Sequence, residues 1–223
     1  MKTLALLGAS GRTGQQVIDE ALSRGYHLRI LARTPEKLKQ EVRDNPLVTV
    51  IQGDARHEPS LADLLQGADA VVSTLGPAGI NQSFKQAKHL AKEHLCFNST
   101  QTLLPLMKAQ GIRRIVVTGG ASLELPEDKN GFFIRFLLTS LAPKMLGEMA
   151  TDRQKEYELL KQTDVDWTIA RCGRFIDSPS QKPLKTSSRT FQGMDLNVPD
   201  MARFLLDQVT DTSMFGKAVY LSN

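Results

Sequence analysis

The chain has 223 residues, enough for one α/β domain with a sizeable core, and its 28 Lys and Arg against 24 Asp and Glu give a formal charge of +4. Its basic residues are scattered rather than gathered into a stripe interleaved with stacking aromatics, which argues against a nucleic-acid partner. No apolar run reaches the length of a signal h-region or a membrane span, so a cytoplasmic protein without membrane contact is expected.

The first stretch, Leu4-Ala5-Leu6-Leu7, is apolar and runs into Gly8-Ala9-Ser10-Gly11-Arg12-Thr13-Gly14, after which apolar residues recur at helical spacing from Val17 to Leu22. That order is strand, tight turn, helix. In such a unit Gly8 permits the turn, Gly11 lets the backbone approach a pyrophosphate, and Gly14 lets the helix pack on the strand. The phosphates meet the free amides and positive dipole end of the helix. A dinucleotide site is therefore expected here.

His27 to Ala32 reads as a second strand, followed by Arg33-Thr34. A carboxylate near this point would accept from the ribose 2′-OH of NAD, and none is present. Arg33 instead suits a 2′-phosphate, with Arg12 approaching from the other side and Lys37 a weaker contributor, so NADP(H) is expected over NAD(H). Pro35 to Val42 predicts a short helix capped by Thr34. Val48 to Gln52 is strand three, and in the Gly53-Asp54-Ala55-Arg56 stretch Asp54 suits either the adenine amino group or a turn. Ala70 to Leu75 is a buried fourth strand, and the Gly76-Pro77-Ala78-Gly79 loop after it is expected beside the cofactor's central sugars and phosphates.

Residues 82–110 read as helical with a break near Cys96-Phe97-Asn98, and His89 and His94 are placed on its solvated face. The fifth strand, Arg113 to Thr118, again runs into glycines, Gly119 and Gly120. Cys96 and Cys172 lie far apart without ligand spacing, so buried, reduced thiols and no metal site are expected.

The set Gly8 to Gly14, Leu31-Ala32-Arg33, Gly53-Asp54-Ala55, Ala68 to Val72 and Gly111 to Val117 resembles the atypical short-chain dehydrogenase/reductases. Within them it is similar to the NAD(P)H-binding, NmrA-like branch that includes biliverdin-IXβ/flavin reductases. Asp166 to Arg171 matches that family's sixth strand and Val198 to Leu206 its last helix. The resemblance implies that Ser10 and Thr13 contact the phosphates, Arg33 the 2′-phosphate and Asp54-Ala55 the adenine. Leu75-Gly76, Thr118 and Gly119 would line the path to the nicotinamide. Where the superfamily's Tyr-x-x-x-Lys belongs, this chain has Met149-Ala150-Thr151-Asp152-Arg153, and Tyr157 follows in the wrong order. The serine that relatives carry after strand five is Gly120 here, with Ser122 two positions on. No catalytic residue is assigned.

Leu123 to Ala150 is apolar on more than one face, suited to cover a pocket or meet a partner. Asp152 to Gln162 predicts a helix on which Asp152 and Glu156 share a salt-bridged surface among Arg153, Lys155 and Lys161. By position Gly173 and Arg174 edge the nicotinamide, while Gly120, Ser122, Arg153 and Phe175 border the acceptor. Residues 177–197 read as a loop with a short strand around Thr190-Phe191. The expected architecture is a doubly wound, mostly parallel Rossmann sheet over residues 1–223, with a small acceptor-site lobe from about 123–150 and 174–197. The expected function is an NADPH-dependent reductase passing hydride to a planar acceptor such as a flavin, quinone or tetrapyrrole. The alternative is a non-catalytic NADP(H)-binding redox sensor with a homodimeric or regulatory protein partner.

Overall fold

The computed structural model describes residues 2–76, 83–176 and 182–223. The chain begins β1 (Thr3–Leu7), α1 (Arg12–Ser23), β2 (His27–Ala32), α2 (Gln40–Arg43), β3 (Val48–Gln52), α3 (Glu58–Leu65) and β4 (Ala70–Ser73). It continues α4 (Phe84–Leu90), α5 (Leu95–Ala109), β5 (Arg114–Gly120), α6 (Phe132–Phe136), α7 (Ala142–Leu146) and α8 (Glu148–Lys161). The last part holds β6 (Asp166–Cys172), β7 (Arg174–Ile176), β8 (Lys185–Ser187), β9 (Asp195–Asn197), α9 (Val198–Asp207) and β10 (Lys217–Ser222).

The strand order is β3-β2-β1-β4-β5-β6-β10-β8, and every pair is parallel except β10 with β8. This is the doubly wound Rossmann architecture. The order reverses between β1 and β4, where Leu7 pairs with Ser73, and a crevice opens above the carboxyl ends at such a point. β1 and β4 are apolar and buried because helices cover both faces of the sheet. On one face Val17, Ile18 and Ala21 of α1 share a core with Met201, Ala202 and Leu205 of α9. On the other, Leu61 and Leu64 of α3 meet Leu103 and Met107 of α5 and Leu160 of α8.

Between β5 and α8 the chain crosses the carboxyl ends of the strands. α6 and α7 are joined by a wider π-type turn at Leu137–Leu141. Ile134 and Leu138 pack on Ala121, Tyr220 and Phe191, and Leu146 packs on Ala87, Ala91 and Met149. Arg171, fully buried in β6, holds the start of this crossing. Its guanidinium donates to both carboxylate oxygens of Asp128 at 2.9 Å and to the carbonyls of Leu123 and Ala218, and lies 3.6 Å from the centre of the Tyr220 ring.

Several local expectations are corrected. Pro35–Lys37 is a single 3-10 turn separated from α2, and no side chain of Thr34 caps it. The break in the 82–110 helix falls at His94, in the left-handed region at φ 46°, so α5 already includes Cys96 to Asn98. Thr190-Phe191 is not a strand. The Ser187 hydroxyl accepts from the amides of Arg189 and Thr190, and Asn130 accepts from that of Phe191, so side chains have taken the donors a ladder would need. The strands of that region are β8, which extends the main sheet, and β9, which pairs with β7.

Candidate functional site

The turn after β1 is built by close backbone approach. Gly8 has φ 79°, and a Cβ there would stand 2.7 Å from Thr74, whose hydroxyl donates to the Leu7 and Gly8 carbonyls. A Cβ at Gly14 would stand 2.2 Å from the Gly8 carbonyl, so helix and turn touch directly. Gly11 is different: a Cβ there would meet only the Gly8 oxygen, at 3.2 Å, and both Ser10 and Gly11 are exposed. The protein's own packing thus accounts for Gly8 and Gly14, while Gly11 keeps its backbone open above the start of α1. No acidic residue occupies the first turn of α1 and no side chain caps it. Its first-turn amides have no intrahelical acceptors, and an anion is favoured there.

Toward β3, Arg33 is exposed and Ala55 buried. Asp54 makes the turn: one carboxylate oxygen accepts from the Arg56 amide and Nε at 2.9 Å, the other from Nη2 at 3.0 Å. The Arg56 hydrogen bond chiefly, with Arg33 adding charge, holds the Asp54 carboxyl down at about 2 against partial burial. Arg12 does not join Arg33. Its guanidinium lies 5.2 Å over the Phe175 ring, beyond β6, whereas Arg33 ends β2 on the opposite side of β1.

The carboxyl ends of β4 and β5 form the other half of the crevice. Thr118 donates from its hydroxyl to the Leu75 carbonyl at 3.4 Å. Arg153 of α8 reaches the same place. One guanidinium nitrogen donates to the Leu75 carbonyl and to the Thr118 hydroxyl, 3.3 Å away, and would stand 3.9 Å from a Cβ at Gly76. Its other terminal nitrogen pairs with Glu156 at 2.7 Å. Burial works against this guanidinium's charge, but Cys96, Glu156 and Asp152 outweigh it and its pKa stands above the usual arginine value. The expectation of a salt-bridged surface at Asp152 and Glu156 is therefore corrected. Both are buried, Asp152 accepting from the amides of Cys96 and Phe97 at the start of α5 and Glu156 from the Thr100 hydroxyl. The i, i+4 spacing placed them on one face without saying that α5 covers it.

Ser122 stands beside Gly120, its hydroxyl 3.6 Å from where a Cβ on that glycine would be. Gly119 leaves room for Ile169, and Gly173 for Met194, so packing accounts for both. Arg174 is exposed on the rim and paired with Asp195 at 2.7 Å. None of the three tyrosines occupies the crevice. Tyr26 follows α1, Tyr157 is buried edge-on to Trp167 with its phenol pushed up to about 12 by burial, and Tyr220 donates to Asp128. Met149, in the position of the superfamily tyrosine, is buried. Cys96 and Cys172 are buried free thiols, burial pushing Cys172 up to about 12. His89 is exposed as expected, but His94 is half-buried and pairs with Glu148 at 3.0 Å.

Pro77-Ala78-Gly79 and residues 177–181 lie outside the described residues. Among the described residues no group of three or more His, Cys, Asp or Glu is placed to hold a metal ion, and no helix is long and apolar enough to cross a membrane. A shallow cleft of about 280 Å³, lined by Thr3, His27 and Arg29 among others, sits at the opposite, amino edge of the sheet, away from the glycine turn.

Residues 8–212 match the model of a family described as NAD(P)H-binding. The chain belongs to this NAD(P)H-binding family. The match covers the glycine turn, the crevice and α9. Among curated relatives of this NAD(P)H-binding chain, the uncharacterized protein YwnB of Bacillus subtilis is 26% identical over 181 residues, 80% of this chain and 75% of YwnB. Dihydroflavonol 4-reductase of Arabidopsis thaliana is 29% identical over 126 residues, 54% of this chain but only 32% of that protein. In fold the chain is similar to a short-chain dehydrogenase/reductase from Veillonella parvula solved in complex with NADP. The TM-score is 0.79 at 15% identity, covering all of this chain and 94% of that one.

Proposed function

We propose that this NAD(P)H-binding protein is an NADPH-dependent reductase whose acceptor is planar and conjugated, such as a flavin, a quinone or a linear tetrapyrrole. The observation that carries the acceptor class is the absence of any phenol at the crevice, where Arg153 stands instead. Hydride delivered to a simple ketone leaves an alkoxide that needs a positioned acid. A conjugated acceptor spreads the same charge over its ring system and takes its proton from water. The bound nicotinamide supplies the hydride, and the chain supplies position and electrostatics.

The residues fit the cofactor. Ser10, Gly11 and Thr13 at the start of α1 hold the pyrophosphate, and Arg33, with no carboxylate on the end of β2, takes the 2′-phosphate. Asp54 and Ala55 flank the adenine. Leu75, Gly76 and Thr118 line the nicotinamide side. Phe175 with Arg12 over it, Gly120, Ser122 and Arg153 border the acceptor, and Arg174 stands on the rim.

The test is NADPH consumption by purified protein against a panel of free flavins, quinones, biliverdins and simple aldehydes, with Gly11→Asp as control. Turnover on a conjugated acceptor, lost in the control, is expected. Turnover on simple aldehydes alone would overturn the acceptor class, and NADPH affinity unchanged in Gly11→Asp would overturn the cofactor site. A second reading, an NADP(H)-binding redox sensor, is favoured by one feature: Phe132, Phe133 and Phe136 of α6 are 88%, 74% and 53% exposed. Tight NADPH binding with no turnover, together with self-association or regulator binding that changes between NADPH and NADP⁺, would establish that reading.

A further inference from the structure

Arg153 sets a fixed cation beneath the β4–β5 half of the crevice, and among the described residues that cation has a single carboxylate in direct contact. The Arg153–Glu156 pair is 2.7 Å long with the side chains 14% and 2% exposed, so solvent screens it little. Glu156 is itself held by the Thr100 hydroxyl at 2.8 Å, which fixes its second oxygen. Asp152, the other acid on this face of α8, is committed to the amides of Cys96 and Phe97 at the start of α5. Glu156 therefore balances Arg153, and the guanidinium faces the Leu75 carbonyl and Thr118 hydroxyl with its charge largely compensated.

The two redox states of a nicotinamide differ by one positive charge on the ring. A bare cation at this position would repel the oxidised ring and leave the neutral reduced one unaffected, whereas a compensated one repels neither. We propose that Glu156, acting through Arg153, sets the relative affinity of this chain for NADP⁺ and NADPH, keeping the oxidised form bound well enough that the protein does not discriminate against it. The inference rests on the cofactor reading above, with the nicotinamide over the β4–β5 side. Glu156 is a positioning residue in this scheme, since it touches Arg153 and Thr100 and lies too deep to reach a ligand.

The experiment is equilibrium binding of NADPH, followed by its fluorescence, and of NADP⁺, by calorimetry, to the unsubstituted chain and three variants, with melting curves to confirm folding. In Glu156→Gln the guanidinium loses the countercharge it touches, with Asp152 acting only from beyond contact. The ratio of the NADP⁺ Kd to the NADPH Kd should then rise by about tenfold, the scale of one unit charge acting across a partly buried site. In Arg153→Met the ratio should fall below that of the unsubstituted chain. In the double variant Arg153→Met/Glu156→Gln, which has no charge at either position, it should return to within about threefold of the starting value. A merely structural role would weaken both nucleotides together and would not be reversed by the second substitution. If Glu156→Gln does not fold, the comparison between Arg153→Met and the double variant carries the same sign. An unchanged ratio in the single variants, or a shift the double variant does not reverse, overturns the inference while the cofactor reading stands. Failure of the unsubstituted chain to bind either nucleotide overturns both.

Discussion

Arg33 and Arg12 began as one expectation, two cations converging on a 2′-phosphate, and the structure separates them. Arg33 is exposed at the end of β2, while Arg12 crosses toward Phe175 because position 12 opens a helix that leans on α9 and so faces the β6 side. Motif spacing gives the order of residues around a turn but not the direction a long side chain takes from it. On the proposed reading Arg33 distinguishes the cofactors, with Lys37 a weaker contributor, so Arg33→Asp should weaken NADPH far more than NADH in a binding titration. Equal losses would remove the 2′-phosphate assignment. Asp54 illustrates the same limit: its carboxylate was legible as a turn or an adenine contact, and spacing did not reveal the bidentate grip of Arg56 that builds the turn.

At the scale of elements, strands β1 to β5 were legible to within a residue or two, since apolar runs bounded by glycine or turn residues leave little choice, while β6 and α9 came from the family resemblance. What failed were the segments whose partners are distant in sequence. Asp152 and Glu156 look like surface charges until α5 is laid over them, and Thr190-Phe191 look extended until Asn130 and Ser187 occupy their amides. Arg171 belongs with these. A fully buried arginine in a strand has no local signal, and its partner Asp128 lies 43 positions away. Because removing Asp128 leaves the buried Arg171 guanidinium without its carboxylate partner, Asp128→Ala should cost about 3–5 kcal/mol, measured by urea denaturation, and Arg171→Met distinctly less. Equal costs would mean that the pair, rather than the stranded charge, carries the energy.

For the molecule as a whole, the exposed aromatic residues of α6 contrast with the two continuous cores on either side of the sheet. Phe132 and Phe133 add little to folding because water still reaches most of their surface. Phe132→Ser and Phe133→Ser should shift stability by no more than about 0.5 kcal/mol in thermal denaturation. A larger loss would show that α6 is pinned by these rings and not by Ile134 and Leu138. The pairing of α1 with α9 has a consequence in time. The helix that opens at the glycine turn completes its core against Met201, Ala202 and Leu205, and Arg24 at its far end is tied to Asp207 at 2.7 Å. During synthesis the first helix therefore waits, with its apolar face uncovered, until α9 has also left the ribosome. The nucleotide cradle is thus translated well before the helix that completes its core, a pairing of high sequence separation that forms late.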